Sequence, residues 1–338
     1  MHETWPEPAL PVLTGGPRLN WAILAPGRIA RSFARAVLTH TDHTIVAVGS
    51  RSRERSTAFA AEFGIPYAFA SYEQAVARGE VDAAYIAAPH THHLPLARIA
   101  LDAGVPVLIE KPLAASVADA REIVAAARAA GVFAMEAMWT RFHPWVDVAD
   151  QLIASGAIGE VVSVGAEIGR RFAFDPRDRL FDPALGGGAL LDMGIYAVFH
   201  ALHFGGDPIG ITASGVRAPT GVDAQSTTVL RLAGGGLATV GASLASFTPS
   251  HAIIAGTEGS LRVEGRFPMP APLGWYGRDG ELIGTFRDTT GLEGHAALAR
   301  QAAWMAAHVA DGLLESPRHP LVTSIRQLEI VEEALGQF

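Results

Sequence analysis

The stretch "VPVLIEKPLAAS", Val105 to Ser116, decides how this chain is read. Val107, Leu108 and Ile109 form an apolar run of the length of one buried strand. A carboxylate, an ammonium and a proline then arrive together as Glu110, Lys111 and Pro112. Proline has no N–H to offer a ladder, so the strand ends there. Taken alone, the junction is equally a strand end with a surface ion pair and a turn proline. Its neighbours supply the context. Upstream, "VDAAYIAAP" reads as a strand and "HLPLARIALDAG" as a helix closed by Gly104. Downstream, "SVADAREIVAAARAAG" reads as a helix and "VFAMEAM" as a strand. Strand–helix–strand units of this length imply a parallel sheet with helices on both faces.

The alternation extends back to Leu19. "LNWAIL", "TIVAVGS" and "YAFAS" read as strands, and "RIARSFARAVLTH", "RERSTAFAAEFG" and "SYEQAVARG" as helices. Ile29, Phe33 and Val37 stand four apart on the first of these helices. Right-handed crossovers make residues 19–140 a doubly wound domain of Rossmann type. After Arg141 the pattern changes. The helix "PWVDVADQLIASG" leads to the strand "EVVSVGAEIG", then to a long loop and a helix between Phe172 and Phe204. "GITASGVRA", "STTVLRLAGGGLATVGASLAS" and "HAIIAGTEGSLRVEG" read as antiparallel strands separated by glycine turns. Two helices, near His295–Glu315 and Leu321–Leu335, close the chain. The expected class is α/β: a Rossmann domain followed by an α+β domain, residues 141–338, with a large, mostly antiparallel open sheet. Its terminal helix is free to pack back on the first domain.

Composition narrows the classes of function. The chain has 338 residues, 49% hydrophobic and 18% charged, enough for two buried cores. A net charge of −8 argues against a nucleic-acid surface. With no cysteine, thiolate catalysis, disulfides and cysteine zinc sites are excluded. Residues 1–18 carry prolines and no apolar core segment, and read as a loose arm. No uninterrupted apolar run reaches membrane-spanning length, so a cytoplasmic protein without a membrane partner is expected.

Two segments point to a dinucleotide. "LAPGRIARSF" lies between the first strand and the first helix, where free N–H groups and the helix dipole favour a phosphate. Against the G-x-G-x-x-G/A pattern it offers Ala25, Gly27 and Ala30, so the first glycine is replaced. A plain tight turn fits the motif as well; its place on the first strand–helix unit favours the phosphate. The second strand ends in "VGSRSRERS", with Ser50, Arg51, Arg53 and Arg55 and no acid to receive ribose hydroxyls. Guanidinium groups grip a 2′-phosphate, whereas a carboxylate repels it. The expected cofactor is therefore NADP, with NAD possible; the alternative is a basic helix start on a solvated face.

The segments "AILAPGRIA", "SRSRERSTAFA", "AAPHTHH", "EKPLA", "MEAMWTRFHPW", "RLFDPALGGGALLDMGIYA" and "GLLESPRHPL" together resemble the Gfo/Idh/MocA oxidoreductases over nearly the whole chain. "MEAMWTRF" and "RLFDPALGGGALLD" are similar to the branch of dimeric dihydrodiol dehydrogenases and NADP-dependent D-xylose dehydrogenases. The resemblance implies a catalytic set of Lys111, Asp192 and Tyr196, with the Lys111–Pro112 bond often cis. It implies a cofactor site drawn from Ala25, Gly27, Arg28, Ile29, Ser50, Arg51, Arg55, Pro89, His93, Glu110, Lys111 and Arg141. It also implies a homodimer through the C-terminal sheet, and a sugar, cyclic polyol or diol as substrate. Ala25, Ala88 and His90 depart from the family's usual residues, all in the cofactor region.

The implied chemistry is coherent. A tyrosine with an ordinary pKa near 10 is a weak base at neutral pH, and an adjacent ammonium favours its phenolate and a developing alkoxide. Tyr196 would exchange the substrate proton while a hydride moves to or from the nicotinamide. Asp192, at i, i+4 from Tyr196 on one helix face, would orient a substrate hydroxyl or Lys111. The run Gly186–Gly188 suggests a close backbone approach rather than a flexible loop. His90, His92 and His93 crowd together, but three or four convergent ligands are needed for a metal, and none is expected. His93 is expected to line the cleft, and His295 could face the substrate. A non-catalytic dinucleotide sensor is the alternative on the same fold, but it has no need of Lys111, Asp192 and Tyr196 together. A glycosidase using NAD transiently is a third reading, opposed by the arginines of the second strand.

Overall fold

The computed structural model describes residues 5–338. The chain divides into two units. One holds Pro11–Arg141 and Leu292–Arg326; the other holds the residues up to Leu10, Phe142–Gly291 and Gln327–Phe338. The sequence reading set residues 141–338 as one domain whose terminal helix is free to pack back on the first; by contacts, residues 292–326 group with the dinucleotide-type unit and residues 327–338 with the other.

The first unit carries β1 (Asn20–Leu24), α1 (Arg28–His40), β2 (Thr44–Gly49), α2 (Arg53–Phe63), β3 (Tyr67–Phe69), α3 (Tyr72–Val76), β4 (Ala83–Ile86), α4 (His93–Asp102), β5 (Val107–Glu110), α5 (Val117–Ala130) and β6 (Ala134–Ala137). The six strands form a parallel sheet in the order β3-β2-β1-β4-β5-β6. Order reverses beside β1, which makes the crevice beyond β1 and β4 the switch point where such sheets take ligands. Trp21, Ile23, Leu24, Tyr85, Ile86, Leu108 and Ile109 are all fully buried, as expected of strands covered on both faces. The hydroxyls of Ser52, Ser71 and Ser116 accept from the N–H groups of Arg55, Gln74 and Asp119 and start α2, α3 and α5.

The second unit carries α6 (Pro144–Ala154), β7 (Val161–Gly169), α7 (Ile195–Gly205), β8 (Pro208–Arg217), β9 (Asp223–Leu232), β10 (Leu237–Ser243), β11 (Ala252–Gly256), β12 (Gly259–Val263), β13 (Leu273–Gly277) and β14 (Leu282–Phe286). They build an eight-stranded sheet in the order β14-β13-β12-β11-β7-β10-β9-β8. β7 and β10 pair in parallel, and the remaining pairs are antiparallel. α7 covers one face. Along β9, Ser226, Thr228, Leu230 and Leu232 are buried while Gln225, Thr227 and Arg231 are exposed, the alternation of a one-sided sheet. β13 and β14 were not read from the sequence, because the prolines at 268, 270 and 272 obscure the approach to β13. Two helices complete the chain, α8 (Leu298–Ala310) in the first unit and α9 (Leu321–Leu335).

The arm read as loose is held where it is described; its first four residues lie outside the described residues. Trp5 packs edge-on against Trp275 at 6.2 Å, Ala9 N donates to Asp147 Oδ2 at 2.7 Å, and Gln151 donates to the Glu7 carbonyl at 2.9 Å. The helical stretch Pro183–Gly205 is long and apolar enough to cross a membrane by length and composition. Two-thirds of its most apolar window of 18 residues is buried within the protein, as in the core helix of a globular domain.

Candidate active site

The register of the parallel sheet sets several predicted residues on one edge. Leu24 pairs with Gly49 and Ile86, and Ile86 with Ile109, so β1, β2, β4 and β5 end level. Beyond these ends lie Ala25, Ser50, Pro89 and Lys111.

The turn after β1 explains both the kept glycine and the lost one. Gly27 has φ −96°, open to any residue, and a Cβ built on it would meet nothing nearer than 3.8 Å. Neither backbone conformation nor packing requires glycine there. A ligand approaching the backbone would, and the open space at Gly27 fits a pyrophosphate. α1 starts at Arg28 and Ile29 with no side-chain cap and no acid in its first turn, so its N–H groups suit an anion. Ala25 has φ +67°, the left-handed region where the missing glycine would rest without strain. Ala25→Gly should therefore raise stability by roughly 0.5–1 kcal/mol, the relief of the left-handed strain less the entropy of the freer unfolded chain. A urea titration reads this directly; an unchanged or lower midpoint would count against a strained Ala25.

At the end of β2, Ser50 is buried and its hydroxyl accepts from Ser52 N at 3.1 Å. Arg51, Arg53 and Arg55 are exposed, with their guanidinium groups at the surface as a 2′-phosphate would need. Pro89 is half-buried before the short turn His90–His92.

The junction after β5 is clamped. Glu110 is buried and accepts from the Tyr85 hydroxyl. The Lys111–Pro112 bond is cis. His93 does not line a cleft as expected; it is fully buried. Its Nδ1 lies 3.0 Å from the Pro112 carbonyl oxygen and its Nε2 3.0 Å from that of Ala88. Burial, and secondarily the nearby His90, hold its pKa down to about 3, so the ring is neutral at pH 7 and has one N–H to donate to one of these two carbonyl oxygens. Arg141 is likewise buried, its Nε donating to the Arg318 carbonyl at 2.7 Å, and so it anchors residues 292–326 within this unit. His295 stacks on Trp139 at 5.7 Å, its pKa lowered by burial and then by the Arg28 guanidinium, which brings it to the rim of the phosphate turn.

Asp192 and Tyr196 belong to the second unit. The i, i+4 spacing suggested one regular helix, but Leu190–Gly194 is a π-helical turn that leads into α7. Gly194 allows it: a Cβ there would stand 2.9 Å from that of Ala242. π turns concentrate at functional sites because they re-aim side chains. Asp192 is nearly buried and faces Arg179, Nη1 to Oδ1 at 3.1 Å and Nη2 to Oδ2 at 3.5 Å. Tyr196 is half-buried. The glycine run is a close approach. A Cβ on Gly187 would stand within 3.0 Å of the Arg179, Leu180 and Asp182 carbonyl oxygens, and one on Gly188 (φ +123°) would strike the Asp223 carboxylate. Asp223 accepts from Leu190 N at 2.7 Å and so caps the turn that carries Asp192; burial raises its pKa.

Three functional features escaped the sequence reading. Arg179 and Asp223 have no spacing relation to Asp192 that a motif would reveal. The third was countable: of 26 Lys and Arg residues in the chain, Lys111 alone is lysine. Everywhere else this chain uses guanidinium for positive charge, and at this strand end it keeps a compact ammonium. Among the described residues no group of three or more His, Asp or Glu side chains could hold a metal ion.

Comparison with known proteins agrees with this architecture. Residues 19–138 match the family described as "Oxidoreductase family, NAD-binding Rossmann fold", and residues 146–262 match the GFO/IDH/MocA C-terminal domain. Trans-1,2-dihydrobenzene-1,2-diol dehydrogenase of Danio rerio is 35% identical over 94% of this chain and 96% of its own length. That of Mus musculus is 36% identical with the same coverage. Among solved structures, levoglucosan dehydrogenase in complex with NADH and levoglucosan superposes with a TM-score of 0.84 at 20% identity, covering 95% of this chain and 97% of its own. A 3-ketoreductase from Actinomadura kijaniata, in complex with NADP and TDP-benzene, gives 0.81 at 25% identity, covering 95% and 98%. The matched models, the full-length relatives and the two sheets agree: this chain belongs to the Gfo/Idh/MocA family of oxidoreductases.

Proposed function

We propose that the protein is an NADP-dependent dehydrogenase or reductase acting on the CH–OH group, or the corresponding carbonyl, of a diol, sugar or cyclic polyol. The observation that carries this reading is the lone lysine of the chain, standing where β5 ends on the same sheet edge as the open Gly27 turn. The relatives named for a trans-diol favour a vicinal diol as the first substrate to try. Gly27, the N–H groups of Arg28 and Ile29, and Arg51 and Arg55 would hold the dinucleotide, which supplies a hydride acceptor or donor when bound.

The chain's own groups do the rest. Tyr196 exchanges a proton with the substrate oxygen. Lys111 favours the phenolate of that tyrosine and the oxygen's developing negative charge. Asp192, steadied by Arg179, orients a substrate hydroxyl.

A fluorescence titration with NADPH and NADH tests the cofactor half. NADPH should bind tighter, and Arg51→Ala should reduce the preference by about 10-fold, the worth of one charge-assisted contact. Equal binding of both dinucleotides would remove the role given to Arg51, and binding of neither would remove the enzyme reading.

A further inference from the structure

The turn after Lys111 is gripped on a second side by groups the mechanism above does not use. Pro112 has no N–H, so Leu113 carries the first backbone donor beyond the lysine, and it is fully buried. Leu113 N donates to Glu136 Oε1 at 2.9 Å. Glu136 lies on β6, paired with Ile109 of β5, and its side chain reaches past the end of that strand. Its other oxygen, Oε2, lies 2.9 Å from His319 Nε2, with Ser324 Oγ 3.2 Å from the same nitrogen. Glu136 and His319 are each 1% exposed.

A buried Glu–His pair is a poor way to gain stability, because desolvation consumes most of what its hydrogen bond returns and an apolar pair of similar volume does as well or better. What the pair does provide is two acceptor oxygens at fixed positions, one for the histidine and one for the Leu113 amide. His93 Nδ1 lies 3.0 Å from the Pro112 carbonyl oxygen on another side. The Pro112–Leu113 peptide, the second beyond the only lysine of the chain, thus has its amide held by Glu136 and its carbonyl against the His93 ring.

We propose that Glu136, held by His319, is a positioning residue for Lys111: it fixes the Leu113 amide and with it the turn that aims the ammonium. The inference rests on the reading of Lys111 as the site ammonium. A misplacement of about 1 Å at such a group lowers turnover about 100-fold.

The single lysine provides a direct readout. Protein labelled with [13Cε]lysine gives one lysine side-chain signal, Lys111, whose position, width and titration are followed with and without NADPH in wild type, Glu136→Gln, Glu136→Ala and His319→Gln. Glutamine can still accept from Leu113 N and donate to a neutral His319, so Glu136→Gln should match wild type. Glu136→Ala and His319→Gln should shift or broaden the signal and lower kcat for trans-1,2-dihydrobenzene-1,2-diol with NADP by about 100-fold, with a smaller change in KM. A structural role alone would lower the unfolding temperature and leave the lysine titration and kcat in place; that result in folded Glu136→Ala or His319→Gln overturns the proposal, as does a loss of kcat in Glu136→Gln equal to that of Glu136→Ala. If Glu136→Ala does not fold, His319→Gln decides. In wild type the Leu113 amide should be among the slowest of its unit to exchange with solvent, and rapid exchange there overturns the proposal without a variant. Retained turnover in Lys111→Met is a different failure: it removes the reading of the lysine, while the coupling of its signal to Glu136 is still decided by the spectra.

Discussion

On the proposed function, with a vicinal diol as substrate, Lys111→Met is expected to lower kcat by about 1,000-fold, the upper range for removing one preorganised charge from a developing oxyanion. Methionine keeps the length and apolar stem of the side chain and deletes only the ammonium, so folding should survive. Lys111→Arg should not rescue the rate. The guanidinium keeps the charge but is bulkier, spreads it over a plane and does not deprotonate. That comparison has unusual force in a chain whose every other basic side chain, histidine apart, is already arginine. Tyr196→Phe should lose about 100- to 10,000-fold, the span of general acid–base catalysis. The two variants should differ in their pH profiles. Without the tyrosine, residual activity should lose its dependence on a group titrating on the alkaline side. Full turnover in either variant would remove that residue from the mechanism, and full turnover in both would favour a protein that binds dinucleotide without using it.

The legible parts of this molecule were those governed by local rules. The six parallel strands of the first unit and their helices follow from apolar period, serine caps and glycine stops, all within a few residues of the element they shape. The arginines after β2 and the lysine after β5 were legible for the same reason: strand ends are marked, and strand order brings them to one edge. What stayed hidden depends on pairs far apart in the chain. His319 meets Glu136 across 183 positions, and Asp223 meets Leu190 across 33, with no periodicity to announce either. His93 was misplaced because a histidine beside a predicted cleft looks like a ligand, while its burial against carbonyl oxygens depends on where the Pro112 turn folds. The π turn at Asp192 was hidden because a one-residue widening leaves the apolar pattern of a helix nearly intact.

Acid should unfold this protein well above the ordinary carboxylate range, and buried histidines are the reason. Burial holds His93 and His200 down to about 3 and His43 to about 4, from an ordinary 6.5. His200 is fully enclosed by Trp145, Phe204 and Phe267, with Nε2 on the Ile253 carbonyl at 3.2 Å. Neighbouring His203 and His251 lower it further, while Asp42 partly offsets the shift at His43. The sign follows from proton counting. Between pH 6.5 and the folded values, the unfolded chain binds protons that the folded chain refuses, so stability is complete above 6.5 and falls as pH falls. Each histidine forfeits about 2 kcal/mol by pH 5, at 1.36 kcal/mol per pH unit. Three such sites together approach the whole stability of an ordinary domain. Asp223 acts with the opposite sign, since its raised pKa lets the folded state take up a proton first as pH falls. It is one carboxyl against three rings, so the net slope should remain that of the histidines. Urea midpoints at pH 7.5, 6 and 5 should fall steadily, and His200→Gln, which keeps an N–H for the Ile253 carbonyl and cannot titrate, should flatten the slope. A midpoint independent of pH over that interval would mean that these rings are hydrated or already charged in the folded protein.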